Sequence, residues 1–217
     1  MGKRKIPGGG WTVAVVVAAV LASCSQQARD DGEDSGGGKR QRSAPLSVAD
    51  IERMAAGPGS RCPVRYDMAG AARAAGVDGA GAVTAGSVEG ELPDDADSPL
   101  ARADGALVDC GYRLGKERVR LFTIGVTKGA AVSVLLPQIQ HDAAIPMDEL
   151  LGYARRAQRA KRGEPLLTSS GNVAAVRLPV TGEGDLALVV SIGKDRTRLP
   201  RGQVTDLATR LAGQARR

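Results

Sequence analysis

Few side chains in this 217-residue chain are equipped for chemistry: three cysteines (Cys24, Cys62 and Cys110), one histidine (His141) and scattered carboxylates. With a single histidine, a Cys/His metal cluster cannot be assembled. A Ser/His/Asp arrangement has only His141-Asp142 to offer, and these lie in a polar stretch between Pro137 and Pro146 that reads as a solvated loop. No Gly-x-Ser-x-Gly elbow occurs, and the nearest run, Ser169-Ser170-Gly171, lacks its strand-turn-helix context. The carboxylate pairs Asp94/Asp95 and Glu183/Asp185 fall in expected turns. General acids need an environment that raises their pKa, and exposed turns do not supply one. Gly79-Ala80-Gly81 has neither the flanking elements nor the Lys-Ser/Thr of a phosphate loop. Glu89, Glu91, Asp94, Asp95 and Asp97 form an acidic stretch, but without the spacing of an EF-hand.

One constellation stands out from that search. Arg155, Arg156, Arg159, Lys161 and Arg162 crowd a segment with helical periodicity over 148–161. At about 100° per residue, Arg155, Arg159 and Arg162 share a face. Such a face suits an anionic partner: lipid headgroups, a teichoic-type polymer or an acidic protein. The plainer alternative is a solvated outer face whose cations complement the C-terminal end of the helix dipole.

Cys24 stands apart from the other cysteines. Lys3, Arg4 and Lys5 precede a ten-residue apolar run, Val13 to Ala22, and small residues lead into Cys24. The run is half the length of about 20 residues that a membrane span needs. Positive segment, apolar segment and small-residue site follow one another as in an export signal. Leu21-Ala22-Ser23-Cys24 resembles the lipobox of bacterial lipoprotein signal peptides over residues 1–24. The resemblance implies diacylglycerol transfer to the Cys24 sulfur, cleavage after Ser23 and a lipid anchor on the extracytoplasmic face of the cell membrane. One acyl chain binds a membrane marginally, and two or three hold it firmly. The basic segment has no twin-arginine pair, which favours the general secretory route.

Removing that signal takes Lys3, Arg4 and Lys5 with it, so the formal charge of +6 falls by three. Nucleic acid is not indicated by so small a balance. Trp11 also leaves, and Tyr66, Tyr112, Phe122 and Tyr153 are then the only aromatics. That is poor material for stacking on single strands. If Cys24 carries lipid, Cys62 and Cys110 are the remaining pair, and an oxidising compartment favours a disulfide between them. No cofactor is indicated beyond the covalent lipid.

Residues 24–45 read as a lipidated cysteine and tether: a polar, Gly-rich stretch with an acidic block, Arg29 to Asp34, and a basic block, Lys39 to Arg42. Twenty such residues reach on the order of 25 Å. Folded structure is expected over 46–217. Ser47 and Asp50 suggest a capped helix that Gly57 and Pro58 stop, with Leu46 and Ile51 as a hydrophobic staple. A second short helix follows from Asp67 to Gly76. The Gly- and Ala-rich span 77–103 reads as disordered loop or weak strands. Strands are expected over 106–114 and 117–127, joined at Gly115-Lys116, and over 173–180 and 186–192. The run 131–136 is of uncertain type. The helix over 148–161 turns Leu150, Leu151, Ala154 and Ala157 to one side, and another after Pro200 aligns Val204, Leu207, Ala208, Leu211 and Ala212. Helices flanking antiparallel hairpins make a single α+β domain.

Cys62-Pro63, Asp109-Cys110-Gly111-Tyr112 and Asp185-Leu186-Ala187-Leu188-Val189-Val190 carry a further likeness. With the lipobox and tether, they resemble the small envelope lipoproteins of high-GC Gram-positive bacteria. Several of those have a PsbP-like α/β sandwich and no assigned activity. The resemblance implies a lipid-anchored, non-enzymatic envelope protein that binds a partner or supports a complex. A small-ligand carrier or sensor is the alternative, and a hydrolase ranks third.

Overall fold

The computed structural model describes residues 44–78 and 82–217. The expected signal, Cys24 and nearly all of the tether lie outside the described residues, as does Gly79-Ala80-Gly81. Among the described residues the domain is α+β: one six-stranded antiparallel sheet and seven helices.

The first helix, α1 (Val48–Ala56), forms for local reasons. The Ser47 hydroxyl accepts from the Asp50 amide, and Asp50 accepts back from the Ser47 amide at 2.8 Å, a complete capping box. Leu46 and Ile51 are both fully buried, as a staple requires. Arg53 and Arg217 also pair with Asp50, the latter at 3.3 Å. Burial alone would raise the Asp50 carboxyl; the Ser47 hydroxyl and amide, with Arg217 and Arg53, outweigh it and hold it below its usual value of 3.8. The sign of the consequence is fixed by that direction. A carboxyl with a depressed folded pKa stabilises the fold above its unfolded value and ceases to do so as pH falls through the folded one. We therefore expect the urea midpoint to drop between pH 5 and pH 3, and the drop to shrink in Asp50→Ala.

α2 (Met68–Ala74), capped by Asp67, follows as expected. The 77–103 span is more ordered than its composition suggests. It contains β1 (Val83–Glu91) and a one-turn helix α3 (Pro99–Arg102), which begins at Ser98 with proline in its first turn. β1 is an exposed edge strand with a bulge between Ala85 and Val88. It exists because β2 (Gly105–Leu114) supplies its hydrogen bonds, not because its own residues favour a strand. Gly90 is required here: any Cβ would meet the Ala55 carbonyl of α1 at 2.1 Å.

β2 turns back through Gly115-Lys116 into β3 (Glu117–Val126), with Leu114 opposite Glu117. Then come α4 (Ala131–Val134), α5 (Leu136–Ala143) and α6 (Met147–Arg159). β4 (Pro165–Leu167), β5 (Val173–Leu178), β6 (Asp185–Ile192) and α7 (Arg201–Gln214) complete the domain. The strand order is β1-β2-β3-β6-β5-β4. β3 and β6 are therefore central, where two three-stranded halves meet.

Both sheet faces are covered. Leu186, Leu188, Val190 and Ile192 point into a core shared with α1, α2 and α7. Ala187 and Val189 point into the opposite core, with Leu100, Val132, Ile139, Leu150 and Tyr153 from α3 to α6. All eight β6 residues are buried, which makes β6 the spine of a three-layer domain. Among the described residues, no helix is long and apolar enough to cross a membrane.

Candidate functional site

The helices α3, α4 and α5 leave one corner of their sheet face open. There a cavity of about 420 Å³ lies over β1, β2 and β3. Its apolar wall comes from Leu100, Leu107, Phe122, Val134, Leu135 and Pro137. Its polar wall comes from Glu89, Glu91, Asp109, Arg120 and Gln138. Each polar residue is there for a topological reason. Asp109 faces Glu89 across one strand pair and Phe122 across the other. Arg120 lies two residues from Phe122 and so shares its face.

Asp109 and Arg120 form a diagonal cross-strand ion pair. Both the Arg120 Nε, at 3.1 Å, and an outer guanidinium nitrogen donate to Asp109 Oδ2. The guanidinium lies 4.5 Å from the centre of the Phe122 ring, a cation–π arrangement that fixes its plane. Asp109 is 8% exposed, and its second oxygen, Oδ1, is buried with no hydrogen-bond partner among the described residues. Burial pushes the Asp109 carboxyl above the usual aspartate range, against the pull of Arg120 and with a further push from Glu89. The same pairing raises Arg120 against its own desolvation.

Arg120 also borders a second hollow of about 380 Å³, lined by Lys116, Arg118, Lys194, Glu117, Asp142 and Ser191. The guanidinium thus divides an acidic hollow from a more basic one. Ser191-Ile192-Gly193-Lys194 has the Ser-x-x-Lys spacing of some acyl-transfer enzymes. Here Ser191 ends a strand instead of opening a helix, and no hydrogen bond joins its hydroxyl to Lys194 among the described residues.

The residues singled out from sequence are dispersed. Cys62 and Cys110 are bonded, their Cα atoms 5.5 Å apart, which ties the α1–α2 connection to the inner face of β2. His141 is on α5, not in a loop. It is 63% exposed on its side chain, with Nδ1 3.1 Å from Asp142 Oδ1. Asp142 also accepts from Gln138 at 2.7 Å, and no serine or threonine hydroxyl bonds to His141 among the described residues. Asp94, Asp95 and Glu183 are exposed, as turn carboxylates should be. Asp185 is not: it is 5% exposed and fully engaged in the fold. Ser170 is spent on a turn, bonded to Thr168 and Asn172.

Arg155, Arg156, Arg159 and Arg162 are all exposed, but they do not share one helical face. α6 stops at Arg159 because Ala160 is extended and Arg177 donates to the Gln158 and Ala160 carbonyls at 3.2 and 3.4 Å. Arg162 sits in the turn beyond. Leu151, expected with the inward residues, is 53% exposed, and Tyr153 occupies the core instead. The outward stripe of α6 therefore runs Met147, Leu151, Arg155, Arg159, apolar at one end and cationic at the other. Among the described residues none of these arginines forms an ion pair.

No protein-family model matches this chain. No curated protein sequence and no solved structure matches it either. Among the described residues, no group of three or more metal-ligating side chains converges.

Proposed function

We propose that this protein is a lipid-anchored, non-enzymatic binding module of the cell envelope, and that it binds through the cavity over β1–β3. The cavity carries the reading. Its size suits a small ligand, its lining is divided about evenly between apolar and polar surface, and charged groups reach it from three strands. The charged pair at its wall is held by strand register and by a ring, which keeps a recognition site rigid. Leu21-Ala22-Ser23-Cys24 supports the anchor.

Two measurements test the two halves. Cys24→Ala is expected to abolish incorporation of labelled palmitate and to free the protein from the membrane fraction; undiminished labelling would refute the anchor. For the binding half, small molecules released from the natively purified lipoprotein are compared with those from Val134→Trp, whose indole fills the cavity. A compound present in the first and missing from the second is expected. Identical profiles would overturn binding at this cavity.

A second reading concerns the outer face of α6. Met147 and Leu151 are exposed side by side, with Arg155 and Arg159 continuing the stripe. Apolar side chains beside unpaired cations complement an anionic bilayer, which offers acyl chains and phosphates at matching depths. Arg155→Glu/Arg159→Glu is expected to lower cosedimentation with vesicles of one-third anionic lipid severalfold at low salt, and to change nothing with neutral vesicles.

A further inference from the structure

Four cations, Lys116, Arg118, Arg120 and Lys194, surround the second hollow. Strand register brings them together. Arg118 and Arg120 are two residues apart on β3 and share one sheet face. Arg120 lies opposite Ser191 of β6, and Lys116 belongs to the turn that opens β3. Lys194 is held by its neighbours: the Gly193 amide donates to the Arg118 carbonyl, and the Asp195 amide to the Asp142 carbonyl, both at 2.8 Å. Gly193 has φ +67°, and a Cβ there would meet the Arg196 carbonyl at 2.7 Å.

No carboxylate neutralises this group. Lys116, Arg118 and Lys194 form no ion pair among the described residues. Arg120 gives Nε and one outer nitrogen to Asp109, and its other outer nitrogen makes no hydrogen bond among the described residues. The two carboxylates at the rim have partners of their own. Glu117 accepts from the Arg198 amide at 3.3 Å, and Asp142 accepts from Gln138 at 2.7 Å. Arg113, also without an ion pair, stands directly opposite Arg118 across the β2–β3 pair. Like charges so placed destabilise a sheet, and an anion between them offsets the cost. Ser191 is a separate sign. It is 3% exposed and lines the hollow, yet its hydroxyl makes no hydrogen bond among the described residues. Asp109 Oδ1 is sealed from solvent; the Ser191 oxygen is not, so a ligand in the hollow can reach it.

We propose that this hollow binds a small phosphomonoester. Four cations against two carboxylates leave an excess of two positive charges, which matches the charge of about −2 that a phosphomonoester carries at neutral pH. Arg118 and Arg120 offer planar forks to the phosphate oxygens, Lys194 a point charge, and Ser191 a hydroxyl donor from the floor. A volume of about 380 Å³ leaves room for a short polyol body on the phosphate. The site shares only Arg120 with the cavity over β1–β3, so it stands whether or not that cavity binds a ligand.

The probe is glycerol 3-phosphate, titrated calorimetrically into the full chain at pH 7.5 and constant ionic strength, with glycerol and acetate as controls. Saturable one-to-one binding is expected, at least tenfold tighter than either control. Arg118→Gln/Lys194→Gln alters only exposed side chains and is expected to weaken binding at least tenfold with the thermal midpoint unchanged. Ser191→Ala removes one hydroxyl and is expected to weaken it about fivefold. Arg73→Gln/Arg210→Gln removes the same charge from α2 and α7, across the sheet, and is expected to leave the affinity as it was. No saturable binding, or full affinity in Arg118→Gln/Lys194→Gln, would overturn the site. So would an equal loss in Arg73→Gln/Arg210→Gln, which would reduce the effect to overall charge. If vesicles bearing phosphatidic acid bind the chain through Arg118 and Lys194, and glycerol 3-phosphate does not compete, the phosphate recognised is a lipid headgroup and the small ligand is overturned.

Discussion

Reducing the Cys62–Cys110 bond, or replacing it in Cys62→Ala/Cys110→Ala, is expected to lower stability by about 4 kcal/mol and the midpoint by on the order of 10 °C. The bond joins residues 48 apart in sequence. Loop-closure entropy for a segment of that length sets the figure, and few single interactions in a domain this size exceed it. Position adds to length. The closed loop contains α2, β1 and α3, and Cys110 lies opposite Val88 of β1. β1 has one strand neighbour and mostly exposed side chains. Losing the staple should therefore loosen β1 first, and amide exchange over 83–91 should accelerate more than exchange over β6. A domain whose urea midpoint is unmoved by reductant would show that the bond does not form in the native protein. Because β1 supplies Glu89 and Glu91, reduction is also expected to weaken ligand binding before the domain unfolds.

The parts of the fold legible in the sequence are those fixed by neighbours along the chain. The capping box of α1, the Asp67 start of α2, the turn at Gly115-Lys116 and the apolar stripe of α7 each depend on residues within one or two turns. The parts that the sequence does not show depend on partners far away. α5 was hidden because Pro137 reads as a breaker; it occupies the first turn of the helix, where its missing N–H costs nothing. β1 is legible only as one of two alternatives, disordered loop or weak strand, because its glycines and acids favour no strand and pairing with β2 makes one. The strand expected over 186–192 is present as β6, but nothing in that expectation gave it a central place. The clue was that both of its faces are apolar, which a central strand needs and an edge strand does not.

The cavity shows the same division. Glu89, Glu91 and Asp109 were each visible, but as an acidic loop and a strand residue, with no reason to join them. Arg120 and Phe122 lie inside an expected strand and carry no local signal of their own. A usable signal existed: two opposite charges, Asp109 and Arg120, interrupt apolar strands whose register the two-residue turn already dictates. Counting back from Leu114 opposite Glu117 places them on adjacent diagonal positions of one face. The walls from α3, α4 and α5 had no such signal, because those helices reach the cavity only through the packing of the whole sheet face.

Asp185→Ala is expected to cost about 3 kcal/mol, several times what an exposed turn carboxylate is worth. The neighbouring Glu183→Ala, which removes an exposed side chain of the same charge, should stay within about 0.5 kcal/mol of wild type. The contrast follows from where Asp185 sits. One oxygen accepts from Arg177 at 2.9 Å, and the other accepts from the buried Ala131 amide at 3.1 Å, at the start of α4. Arg177 in turn caps the last carbonyls of α6. One carboxylate thus fixes the β5–β6 pair, the entry to α4 and, through Arg177, the end of α6. Removing it strands a buried N–H and a guanidinium whose Nε already lacks a partner among the described residues. Asp185→Asn keeps an acceptor for the Ala131 amide and should recover part of the loss, so chemical denaturation of the three variants orders them Glu183→Ala, Asp185→Asn, Asp185→Ala. Since α4 and the residue after it place Val134 and Leu135 at the cavity, Asp185→Ala should also weaken ligand binding at temperatures where the domain is still folded. Equal stability for Asp185→Ala and Glu183→Ala would mean that the carboxylate is not the joint between the two layers.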